Sequence, residues 1–74
     1  MYRAENDPLG FLRAFAIERE SDGVIDYLVD KEDIGFSLNK EDALLLFAQD
    51  ARKIVERLTG EYPVEGSFRV IELA

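Results

Sequence analysis

Carboxylates are the side chains of this sequence whose spacing could do chemistry. Between Glu18 and Asp33 the chain carries Glu18, Glu20, Asp22, Asp26, Asp30, Glu32 and Asp33 against only Arg19 and Lys31, a local charge of −5. Clustered carboxylates can hold a cation, work as an acid and base pair, or meet a basic partner. A cation would sit between Glu18 and Asp26 if these faced each other on paired strands. Calcium, however, takes six to eight oxygens, and Asp22-Gly23-Val24-Ile25-Asp26 lacks the acid at every second position of an EF-hand loop. Hydrolysis by a carboxylate pair needs a raised pKa in a roomy cleft, for which 74 residues leave little volume. Docking of a basic protein fits the cluster better, beside the plainer reading of a solvated face whose charge discourages edge pairing.

Other chemistries lack their reagents. The chain has no histidine and no cysteine, which removes disulfides, zinc sites and thiol or imidazole catalysis. Ser21, Ser37 and Ser67 therefore have no ordinary base to activate them. Glycines stand singly at Gly10, Gly23, Gly35, Gly60 and Gly66, with no phosphate-binding cluster. Phe15, Tyr27, Phe47 and Phe68 fall at spacings suited to packing, and few bases surround them to make a nucleic-acid stacking platform. Sixteen acids against nine bases give a net charge of −7, which opposes direct binding to nucleic acid and suits a basic partner. The expectation is a protein that is not an enzyme and carries no cofactor and no metal.

The elements that must position these residues can be read from periodicity. Residues 1–10 contain Asp7-Pro8 and Gly10 and read as a flexible arm, the remainder of 1–74 as one domain. No apolar signal region opens the sequence, and its longest apolar run, Ala43 to Ala48, is far too short to span a bilayer; a cytoplasmic protein with no membrane partner is expected. Phe11 to Glu20 and Val24 to Asp30 alternate as two strands of a hairpin. A two-residue Asp22-Gly23 loop would pair Phe15 with Asp30 and Glu20 with Ile25, mixing charge with core. A three-residue loop with Gly23 left-handed pairs Phe15 with Val29, Ile17 with Tyr27 and Arg19 with Ile25, giving one coherent apolar face. The opposite face then presents Ala14, Ala16 and Leu28 centrally, ringed by Glu18, Glu20, Asp26 and Asp30. These seven residues form the predicted partner-binding surface.

Ile34 to Leu38 reads as a short extended segment, a strand or an ordered loop. Asn39 is placed to cap a helix of about twenty residues, with Glu41 and Asp42 in its first turn and Gly60 just past its end. Leu44, Phe47, Ala48, Ala51, Ile54, Val55 and Leu58 form its apolar stripe, and at least one of Leu45 and Leu46 is expected to be partly exposed. Glu61 to Gly66 is a connection, and Ser67 to Leu73 a last strand, apolar on both faces as expected for a central strand or one buried from two sides. The fold class is α+β: a β-β-α-β domain with an antiparallel three-stranded sheet and one amphipathic helix packed on one face.

A chain this short buries only about 60% of its unfolded surface, and a core of this size contributes roughly 3–5 kcal/mol. Self-association is the support left once disulfides and metals are removed. One helix covers one sheet face, while Leu12, Ala14, Ala16, Leu28 and Val70 or Ile71 would line the other; a second copy would cover them, with Arg13, Arg19 or Arg69 neutralising acids across the interface. The functional expectation is a small non-catalytic interaction module, homodimeric through its sheet. Its competitor is an acidic inhibitor or nucleic-acid mimic that binds a basic protein.

Overall fold

Asp22 and Gly23 both take positive φ, 52° and 82°, the signature of a two-residue type I′ hairpin loop whose twist matches that of the strands it joins. In the computed structural model, which describes residues 15–73, this turn links β1 (Phe15–Ser21) to β2 (Val24–Asp30). β3 (Gly35–Ser37), a single 3-10 turn at Lys40–Asp42, α1 (Ala48–Glu61) and β4 (Ser67–Glu72) follow. The sheet is antiparallel, in the order β3-β2-β1-β4. The expected arm over residues 1–10 and the first part of the first strand lie outside the described residues.

The hairpin register corrects the three-residue loop expected from sequence. Glu18 lies opposite Tyr27, Arg19 opposite Asp26 and Glu20 opposite Ile25. The mixing of charge and core that argued against this pairing is resolved locally. Arg19 and Asp26 neutralise each other, and Glu20 with Ile25 falls near the turn that closes the hairpin, where Ile25 is 39% exposed. A shift of one residue exchanges a strand's two faces, so Leu28 rather than Val29 turns into the core.

The sheet has four strands among the described residues, not three. β3 joins through Phe36 opposite Leu28, after an irregularity between Leu28 and Asp30. Among the described residues β4 lies at the edge, paired with β1, so of the two positions its composition allowed the central one does not hold. Its two apolar faces have separate causes. Phe68 and Val70 pack against the core under the helix, while Ile71 lies opposite Ala16 on the far face. At the entry to β4, Gly66 has φ +136°, and a Cβ there would lie 2.4 Å from the Glu20 carbonyl oxygen, so the two backbones meet at a distance only glycine allows.

The helix is shorter than expected. Asn39 precedes only the 3-10 turn, and the chain is extended from Ala43 to Phe47. There the sheet captures the backbone: Leu46 N–H donates to the Phe15 carbonyl at 2.8 Å, Phe15 N–H donates back at 3.2 Å, and Leu44 N–H donates to Leu28 at 2.8 Å. These bonds satisfy groups that a helix would have used internally, and they bury Leu46 while Leu45 stays about half exposed. At its other end α1 runs through Gly60 to Glu61 and closes on Tyr62, so Gly60 is helical and not the stop signal. Ala51 and Leu58 of α1 complete a core with Ile17, Leu28 and Leu46. No helix among the described residues is long and apolar enough to cross a membrane.

Candidate functional site

Of the seven residues predicted to share one surface, the six that are described do not all lie together. Ala16, fully buried, and Glu18, 7% exposed, face away from the helix, and Glu20 is exposed near the end of β1. Leu28 lies in the core beneath α1, and Asp26 shares the helix side with Arg19. Asp30 is spent on local structure, its Oδ1 accepting from Glu32 N–H at 2.9 Å and Asp33 N–H at 3.3 Å. Ala14 lies outside the described residues. The imagined cation site also dissolves, because Glu18 and Asp26 point to opposite sides of the hairpin. Among the described residues no group of three or more carboxylates is arranged to hold a metal ion.

Two arginines expected to act across a dimer interface serve the chain itself. Arg69 Nε and Nη2 both contact Glu18 Oε1 across the β1–β4 pair. Arg19 grips Asp26 with both nitrogens of its fork, Nε donating to Oδ1 at 2.8 Å and Nη2 to Oδ2. Its guanidinium carbon lies 3.8 Å from the centroid of the Phe36 ring. The hydrogen bond to Asp26 raises the Arg19 pKa above its ordinary value, with the charges of Asp26 and Glu65 adding and partial burial opposing.

Arg19 borders a cleft of about 380 Å³ on the helix side of the sheet, near the C-terminal end of α1. Its floor is aromatic: Phe36 of β3 and Phe68 of β4 approach to 6.2 Å between ring centroids at a tilt of 39°. Tyr62, just past the helix, and Ile34, before β3, close its sides. Glu32 and Asp33 come from the β2–β3 turn, Arg57 from α1 and Glu65 from the loop before β4. Ile34 has φ +39°, a left-handed conformation that costs a branched residue about 1–3 kcal/mol. That conformation lies beside a turn held by Asp30, while Ile34 itself packs on the core.

Charge in the cleft is unequally compensated. Arg19 is satisfied by Asp26, and Arg57 Nε lies 3.4 Å from Glu61 Oε2 one helical turn on. Glu65 reaches Arg19 only at 3.9 Å. Neither Glu32 nor Asp33 has a cationic partner among the described residues. The cleft thus offers apolar ring surface beside negative charge, a combination suited to an amphipathic cation and poorly suited to an anion.

Sequence reasoning singled out Glu32 and Asp33 only as part of the hairpin's charge and missed Arg19, Ile34, Phe36, Arg57, Tyr62, Glu65 and Phe68 as neighbours. The available signal was Asp22-Gly23, the strongest short-range mark of a two-residue hairpin, from which the facing of Arg19 and Asp26 follows. No protein-family model, no curated protein and no solved structure matches this chain.

Proposed function

We propose that this chain is a small, non-catalytic interaction module of the cytoplasm that engages a basic protein partner. The observation that supports the reading is the pair of carboxylates, Glu32 and Asp33, that border an aromatic-floored cleft without a cationic partner among the described residues. The net charge of −7 would speed encounter with such a partner and disfavour an acidic one. Where the partner's basic groove reads nucleic acid, the same binding would make the chain an inhibitor by mimicry. Affinity capture from lysate of the native host tests this: a basic protein should be retained, bind saturably once purified, and elute as salt rises. A chain that retains nothing beyond what a composition-matched scrambled polypeptide holds would end the proposal.

A second reading, homodimerisation through the sheet, rests on the face opposite the helix. Tyr27, Val29 and Ile71 are half-buried there, and Ile25 beside them is accessible. A second copy would remove that apolar surface from water. The support is narrower than sequence suggested, since Ala16 is already buried and Leu28 belongs to the core.

A further inference from the structure

We infer that the cleft between the end of α1 and the sheet receives an arginine side chain of a basic partner. This rests on the interaction-module reading above and names the part of the surface that would carry it.

The cleft's size limits what it can hold. At about 380 Å³ it lies near the small end of the roughly 300–1,000 Å³ typical of ligand pockets, enough for one long side chain and the backbone that presents it. The chemistry of its walls then selects among side chains. A carboxylate or phosphate would find Arg19 and Arg57 already engaged by Asp26 and Glu61, and would meet Glu32, Asp33 and Glu65. A purely apolar group would cover Phe68 but strip water from carboxylates left unpaired, which is costly. A long cation satisfies both parts, its aliphatic stem lying on Phe68 beside the Phe36 ring that Arg19 already covers, and its charge reaching the acids.

Between the two long cations, the geometry favours arginine. Its planar guanidinium is weakly hydrated, stacks on aromatic faces and bridges carboxylates with paired donors, whereas an ammonium is a compact, strongly hydrated point charge. The chain itself uses the same arrangement at the border of the cleft, where Arg19 lies over Phe36 and forks onto Asp26.

The test titrates the full chain, labelled for NMR, with Nα-acetyl-arginine amide, its lysine counterpart and the uncharged norleucine counterpart. Arginine should produce saturable shifts confined to Ile34, Phe36, Tyr62 and Phe68 and their neighbours, lysine should bind several-fold more weakly, and norleucine should leave these signals unmoved. Glu32→Gln with Asp33→Asn should weaken arginine binding by about tenfold, while Glu41→Gln with Glu56→Gln, an equal loss of charge elsewhere, should not. A well-dispersed spectrum of each variant shows that it remains folded. Shifts scattered over every acidic stretch, equal weakening by both double variants, or equal binding of norleucine would each overturn the inference. Capture separates this failure from the broader one. A Glu32→Gln, Asp33→Asn chain that holds its basic protein as tightly as the parent removes the cleft and leaves the partner; a parent that captures nothing removes both.

Discussion

Arg19 joins three parts of the molecule through one guanidinium: it ties β1 to β2 through Asp26, covers the Phe36 ring of β3, and leans towards Glu65 ahead of β4. Its side chain is 22% exposed and that of Asp26 14%, so the pair is shielded well enough for its hydrogen bonds to count. Asp26→Asn should therefore lower unfolding free energy by about 1–2 kcal/mol, because it leaves a half-hidden cation without its partner. Replacing both, Arg19→Met with Asp26→Leu, should cost less than the two single changes added together. Urea unfolding of the four proteins measures the coupling; strictly additive losses would mean the pair contributes nothing as a pair. Since folding raises the Arg19 pKa, its contribution is complete below the ordinary arginine value. It fades only as pH rises through the raised one, so ordinary alkaline buffers leave it intact.

At the scale of elements, turns and termini decide what side-chain patterns leave open. Gly60 and Gly66 make the point as a contrast. Gly60 sits inside α1 with open space where a Cβ would go, so Gly60→Ala should stabilise by about 0.5–1 kcal/mol through helix propensity and a less free unfolded chain. Gly66→Ala drives a methyl into the Glu20 carbonyl and should cost more than about 2 kcal/mol. Thermal melts of both variants check the opposite signs, and a tolerated Gly66→Ala would mean β1 and β4 do not meet as closely as described. The strands themselves were largely legible: Val24 to Asp30 matches β2, and Ser67 to Leu73 overruns β4 by one residue. Their register was not, because sorting charge from core by eye treats Arg19 and Asp26 as separate penalties when pairing turns them into one contact. The start of α1 was illegible for another reason. Leu44 and Phe47 fit a helical stripe, whereas backbone bonds with Phe15 and Leu28, far off in sequence, hold that run extended.

For the molecule as a whole, α+β architecture and, among the described residues, one α-helix against an antiparallel sheet followed from pattern, whereas the cleft did not. Its walls come from five separate stretches of chain, and nothing in local spacing brings Ile34 beside Tyr62 and Phe68. The face away from the helix carries its own prediction. Should two copies meet there, light scattering after size exclusion will give twice the 8.4 kDa chain mass at high micromolar concentration, and Ile25→Lys will return it to the monomer. A parent that stays monomeric under those conditions rules the dimer out. The order of the sheet has a further outcome in time. β1 is an inner strand whose neighbours are reached very differently: β2 through a two-residue turn, β4 across 51 residues from Glu18 to Arg69. On a translating ribosome the hairpin can therefore close early, while Phe15–Ser21 lacks its β4 partner until Ser67–Glu72 has left the exit tunnel. A nascent chain stalled before Gly66 would present that open flank to every neighbour on the polysome, which makes the interval just before β4 emerges the point at which this fold is most exposed to misassembly.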